Sequence, residues 1–228
     1  MKNILITTTY DVDTFNALKI AADLIRHHKG SVVLLTVSDL SDSITELLFL
    51  SARDHVDQEQ RQKRLEEWRH FKIQNEVSFD SLDIKEHHQF GFSRPILRQI
   101  LERFEIDMII VPHSMQRSRF GIHKILLKLL HDSQYPLLLL SAEQSSSERI
   151  QRALFLDGSG ELLTAEIENM PFHIIHKSML DQSTWQHQSL KQLIDRHKID
   201  LIVQRKQNRA MARINADLPD LGLPVLTV

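Results

Sequence analysis

Ile96-Leu97-Arg98-Gln99-Ile100-Leu101-Glu102-Arg103-Phe104-Glu105-Ile106-Asp107-Met108-Ile109-Ile110 decides how this chain is read, because its pattern occurs twice. Without gaps it aligns on Ser189-Leu190-Lys191-Gln192-Leu193-Ile194-Asp195-Arg196-His197-Lys198-Ile199-Asp200-Leu201-Ile202-Val203, and nearly every apolar position and charge sign is kept. In the first occurrence Leu97, Ile100, Leu101 and Phe104 share one helical face, and the run Met108 to Val111 that follows is continuously apolar. An amphipathic helix leading into such a strand is the crossover of a parallel sheet buried on both faces.

The flanks repeat as well. Tyr135-Pro136-Leu137-Leu138-Leu139 is echoed by Leu223-Pro224-Val225-Leu226-Thr227, and Asn3-Ile4-Leu5-Ile6 by Arg152-Ala153-Leu154-Phe155, in the same order along the chain. A chance likeness between two helix-strand pairs is the alternative, and the matching flanks weigh against it. The reading is therefore a full unit over 1–142, a boundary over 143–149 and a shortened second unit over 150–228. The boundary, Glu143-Gln144-Ser145-Ser146-Ser147-Glu148, holds no apolar residue. At about half the first unit's length, the second must lack at least one strand-helix pair. It is expected to expose sheet edge and to lean on the first unit or on another chain.

Five strands are expected in the first unit: Ile4 to Thr7, Val32 to Val37, Val77 to Ile84, Met108 to Val111 and Leu137 to Leu140. Helical runs separate them. In the first, Asp13 is placed to cap, Phe15, Leu18, Ala22 and Ile25 form the buried face, and Gly30 is the left-handed end. Asp42 to about Asn75 reads as helical, with a nearly all-polar, solvated stretch from Asp57 to Glu67. Ser93 and Pro95 open the next helix, and another spans Phe120 to His131. The fold class is α/β, a Rossmann-like five-stranded parallel sheet with helices on both faces and a truncated second α/β copy.

The 28 basic and 30 acidic residues leave a formal net charge of -2, which argues against broad attraction to nucleic acid or to an anionic membrane. The chain has no cysteine, which removes disulfides and thiolate chemistry and fits a reducing compartment. Met1 to Thr7 is unlike a signal peptide and no run approaches the ~20 apolar residues of a membrane span, so a cytoplasmic location is expected.

Several of these segments resemble the universal stress proteins. Met1-Lys2-Asn3-Ile4-Leu5-Ile6-Thr7-Thr8 is similar to that family's opening strand, Asn16-Ala17-Leu18 to its first helix and Ser31-Val32-Val33-Leu34-Leu35-Thr36-Val37 to its second strand. Asp107 to Val111 and Tyr135 to Leu140 are similar to its fourth and fifth strands. The likeness covers residues 1 to 141 and extends weakly over 150 to 228. It implies an adenine nucleotide alpha hydrolase-like fold, dimers through the last strand, and in many members bound ATP or AMP.

That nucleotide rests on a glycine-rich loop after the fourth strand, where backbone amides approach phosphates closely. Here the loop is Pro112-His113-Ser114-Met115-Gln116-Arg117-Ser118, with Pro112 and Met115 where the first two glycines would fall. The third glycine and the residue after it fall near His123 and Lys124. Thr9 stands in place of an aspartate that contacts adenosine, while the Val37 backbone is unaffected. In the second unit Asp157 takes the aspartate's place in Asp157-Gly158-Ser159-Gly160, which also reads as a tight turn. After Ile202-Val203 comes Gln204-Arg205-Lys206-Gln207-Asn208-Arg209, a basic stretch without glycine. The resemblance thus implies a degenerate site and no bound ATP. Thr9, Val37, His113, Ser114, Lys124 and Asp157 are the residues left to meet AMP, ATP or another small anion.

Arg117, Arg119, His123 and Lys124 could attract an anion by charge, or simply face solvent where positive charge slightly disfavours a helix start. P-loop, dinucleotide and nucleophile-elbow motifs are absent, and Thr7, Thr8 and Thr9 replace the paired acids of a phosphate-accepting receiver domain. The neighbours His27-His28 and His87-His88 do not have metal-chelating spacing and read as surface residues. Trp68 and Trp185 read as packing residues. His113, at the end of a buried strand, is the histidine best placed for a ligand. The expectation is a non-enzymatic stress-response module that associates as a homodimer or with a protein partner; a sensor of AMP, ATP or another anion is the alternative.

Overall fold

The computed structural model describes residues 2–25, 30–39, 63, 66, 82–142, 150–156, 171–176, 190–205 and 222–228. The first unit comprises β1 (Asn3–Thr7), α1 (Val12–Ile25), β2 (Gly30–Ser38), β3 (Leu82–Phe90), α2 (Arg94–Arg103), β4 (Met108–Val111), the single turn α3 (His113–Gln116), α4 (Gly121–His131) and β5 (Leu137–Leu139). The second comprises β6 (Arg152–Phe155), β7 (His173–His176), α5 (Leu190–His197), β8 (Leu201–Gln204) and β9 (Val225–Thr227). The nine strands among the described residues join one sheet in the order β3-β2-β1-β4-β5-β9-β8-β6-β7.

Within the first unit every neighbouring pair is parallel. Alternate strand residues feed two cores. Ile4, Ile6, Val32, Leu34, Met108 and Ile110 pack with α1, whereas Leu5, Val33, Leu35, Ile109 and Val111 pack with α2 and α4. The central strands are apolar at consecutive positions because both faces are covered.

Where the strands are less apolar the sequence misleads. The third strand runs to Phe90 instead of ending at Ile84, in register from Gly30↔Leu82 to Ser38↔Phe90. Its residues Leu-Asp-Ile-Lys-Glu-His-His-Gln-Phe are mostly polar because the strand lies at the sheet's margin, and residues 77–81 lie outside the described set. His87 and His88 consequently sit half-buried on opposite faces of this strand, not on the open surface. In α1 the buried set is Thr14, Ala17, Leu18, Ala21, Leu24 and Ile25, with Phe15 and Ala22 only partly covered. Gly30 is the first residue of β2, not a left-handed helix end. A Cβ there would lie 2.0 Å from the Lys2 carbonyl oxygen and 2.5 Å from Ile25 Cγ2, so close approach is what demands glycine.

The helix ends that lead into β4 and β8 share their local geometry. Glu105 after α2 and Lys198 after α5 both take positive φ, 49° and 50°. In both, the next amide reaches back five residues, Ile106 to the Leu101 carbonyl and Ile199 to the Ile194 carbonyl, each at 3.0 Å. This is the Schellman helix end, with its apolar pair beneath it. Asp107 accepts from the amides of Lys2 and Asn3, and Asp200 from those of Gln151 and Arg152. Among the described residues β6, β7, β8 and β9 answer to β1, β2, β4 and β5, and none answers to β3.

The two units meet edge to edge. β5 pairs antiparallel with β9 as Leu137↔Thr227, Leu138↔Leu226 and Leu139↔Val225. Under the sequence alignment Leu138 answers to Leu226, so this register is its own image about a two-fold axis. The outer edge of β5, which the resemblance implies as a homodimer contact, is therefore occupied within the chain.

The expected helical run 42–75, apart from helical Lys63 and Glu66, lies outside the described residues. So do the 143–149 boundary, His27-His28, Trp68, Trp185, Asp157 to Gly160 and the basic stretch after Arg205.

Candidate functional site

Strand order reverses around β1 and β4, since the chain moves outward through β2 and β3 and then returns to the other side of β1. The carboxyl ends of such strands splay their loops apart and form the usual ligand crevice of an open α/β sheet. Four segments converge there: Thr8 to Tyr10 after β1, Val37 in β2, Pro112 to Ser118 after β4, and the start of α4.

The turn after β1 is tightly tied. Thr8 donates its amide to the Leu35 carbonyl at 2.9 Å, and its Oγ1 lies 2.8 Å from Thr14 Oγ1 while accepting the Tyr10 amide at 2.7 Å. Tyr10 is held at φ 59°, a conformation that disfavours side chains, and its hydroxyl donates to Glu86 Oε2 at 3.1 Å. The Thr9 hydroxyl donates to Asp11 Oδ2 at 2.8 Å and stands 3.4 Å from Ser114 Oγ.

Pro112 to Ser118 is a helical turn, not an open loop. Gln116 and Arg117 donate their amides to the Pro112 and His113 carbonyls at 3.2 and 3.1 Å. Met115 is completely buried in the core beneath α2 and α4, so it serves packing where a glycine would leave room. Gln116 Nε2 spans the Val111 and Leu140 carbonyls at 3.1 and 2.8 Å, tying the ends of β4 and β5 together.

Two side chains bridge the segments that meet at the crevice. Asp13 accepts the Ser114 amide through Oδ2 at 2.6 Å and the Ser114 hydroxyl through Oδ1 at 2.8 Å. Its carboxylate thus engages both the amide and the hydroxyl of Ser114, and it is not the α1 cap that its position suggests. His123 is 7% exposed. Its Nε2 lies 3.1 Å from the Val37 carbonyl and its Nδ1 2.6 Å from Ser118 Oγ. A carbonyl only accepts, so Nε2 carries a proton and bridges β2 to α4.

Of the residues expected at the site, Thr9, Ser114 and the Val37 backbone converge, all three already engaged within the chain. His113 is half-buried at the start of α3, Lys124 points outward and is exposed, and Asp157 lies outside the described residues. Asp13 and the bridging role of His123 escaped the sequence reading. The available signal was an aspartate facing a serine amide across the crevice, a pairing that no local pattern encodes. Among the described residues no group of three His, Asp or Glu could hold a metal ion, and no helix is long and apolar enough to cross a membrane.

Comparison with known structures bears on the fold. A universal stress protein from Archaeoglobus fulgidus is 13% identical, with 99% of this chain and 97% of that one aligned at a TM-score of 0.57. A functionally unknown protein from Pseudomonas aeruginosa, 11% identical, covers 100% of this chain and 92% of its own at a TM-score of 0.52. At such identities the likeness is one of fold, and it runs the full length of the chain. No curated protein matches. The family model described as the universal stress protein family matches residues 1–141, and on that match the chain belongs to the universal stress protein family.

Proposed function

We propose that this protein is a non-enzymatic regulatory or interaction module in which the ordinary nucleotide crevice is occupied by the chain's own side chains, and that it acts by associating with a protein partner. The observation that carries this reading is the Asp13 carboxylate on the Ser114 amide and hydroxyl. A phosphate entering there would meet a like charge and displace two bonds worth roughly 1.5–3 kcal/mol each. His123 on the Val37 carbonyl takes a second contact, and Pro112 lacks an amide to offer.

The chain is further read as two units from one duplication, 1–142 and 150–228, the second standing where a homodimer partner would stand. The matched Schellman ends, the paired Asp107 and Asp200 and the symmetric β5 to β9 register support this. Self-association then uses surfaces other than the β5 edge.

Calorimetry with ATP and AMP tests the occupied crevice. No heat of binding is expected at millimolar nucleotide; micromolar affinity would refute it and favour a nucleotide sensor. The Ser118 to His123 contact resembles a nucleophile and base, but His123 Nε2 is spent on a carbonyl and, among the described residues, no positioned acid accompanies it. Generic phosphate and carboxylate esters are expected to remain intact.

A further inference from the structure

The start of α4 breaks the rules for a stable helix end, and each break puts a side chain into solvent. Phe120 holds the N-cap position, makes no side-chain cap bond and is 70% exposed. Ser, Thr, Asp or Asn would satisfy a free amide there. The first turn has no acidic residue, and Arg117, Arg119 and Lys124 crowd the positive end of the helix dipole. Ile125 is 49% exposed although Ile122, Leu126 and Leu130 already supply the buried face.

Gly121, Lys124, Ile125 and Lys128 follow the spacing of a single helix stripe, all exposed, with Phe120 at its head. From Pro112 to His131 the charged residues are Arg117, Arg119, Lys124 and Lys128, without an aspartate or glutamate. Among the described residues no ion pair engages any of the four, whereas Arg94 and Arg98 have carboxylate partners in Asp132 and Glu102. Local violations of stability rules mark sites kept for another purpose.

We propose that this face of α4 docks an acidic protein segment, with Phe120 and Ile125 as apolar anchors and Arg117, Arg119, Lys124 and Lys128 as the surrounding cations. Charge complementarity and size select that occupant. A helix of this length spans about 16 Å, the extent of a short peptide, with aromatic and arginine side chains of the kind that dominate interfaces. A membrane or a nucleic acid would instead extend over a molecule whose net charge is -2. The proposal supplies a surface for the interaction role above and rests on that role, not on the occupied crevice.

The test is fluorescence anisotropy with a labelled synthetic peptide of about twelve residues, glutamates surrounding one Phe and one Leu. Binding is expected to weaken with salt and to fall about tenfold in Arg119→Glu and Lys124→Glu. Phe120→Ser should weaken binding similarly while raising the melting temperature, because serine caps α4. A purely structural Phe120 would lower both. Absence of peptide binding, equal binding by the variants, or variant-sensitive binding to phosphatidylserine vesicles or duplex DNA in place of the peptide would overturn the proposal. An ATP titration on the same samples reads the crevice alone, so either idea can fail without the other.

Discussion

Replacing His123 by alanine removes a bridge that holds β2 to α4. The variant loses the bond to the Val37 carbonyl and the bond to Ser118 Oγ, and it empties the volume of a ring that is 7% exposed. Two hydrogen bonds contribute roughly 1 kcal/mol each, and an unfilled buried space adds about 1–2 kcal/mol. The expected loss is about 3–4 kcal/mol, a large share of the ~5–15 kcal/mol that a folded domain has. Urea unfolding followed by circular dichroism should show the midpoint falling by about 1 M with an unchanged slope. Ser118→Ala should cost about 1 kcal/mol, and the double variant little more than His123→Ala alone, because both changes break the same bond. A midpoint shift in His123→Ala under about 0.2 M would refute the bridge.

Three further outcomes follow from the fold. Glu105→Gly and Lys198→Gly should each stabilise by about 1 kcal/mol, or ~2–4 °C in melting temperature, since glycine relieves positive φ at a Schellman end; destabilisation at either position would contradict that geometry. Gly30→Ala should cost more than about 1–3 kcal/mol, because the added carbon meets the Lys2 backbone carbonyl, which cannot yield as the Ile25 side chain can; a near-wild-type urea midpoint would contradict the packing. The pH dependence should include His87. Burial first, then the Arg103 charge, lowers its pKa against a smaller opposing bond from Gln89. The unfolded chain therefore binds the proton more readily, and this contribution to stability is present above the ordinary histidine pKa and lost as pH falls through the lowered value. His87→Gln should flatten the stability curve on the acid side of neutrality, and an unchanged curve would count against the burial of His87.

What the sequence made legible was whatever burial on two faces writes into it. β1, β2, β4 and β5 are apolar at successive positions, and α2 carries its buried stripe at Leu97, Ile100 and Leu101 as the spacing predicts. β3 was displaced because a marginal strand with Asp83, Lys85 and Glu86 gives no apolar run. Asp13 looks like a helix cap because a short acidic side chain at a helix start usually is one; the competing Ser114 amide lies a hundred residues away and leaves no local trace. Pro112 and Met115 stand out in the loop after β4 from the sequence alone, but the packing of Met115 in the core and the reach of His123 to the Val37 carbonyl do not. The pairing of β5 with β9 was equally hidden, although the repeat that sets its symmetry was in plain view.

The most direct test of the occupied crevice is a native mass spectrum of the intact chain sprayed from millimolar magnesium ATP. The account predicts a nucleotide-free species. A one-to-one ATP adduct that survives dilution and competes with the Asp13 to Ser114 contact, seen as faster exchange of the Ser114 amide, would contradict it.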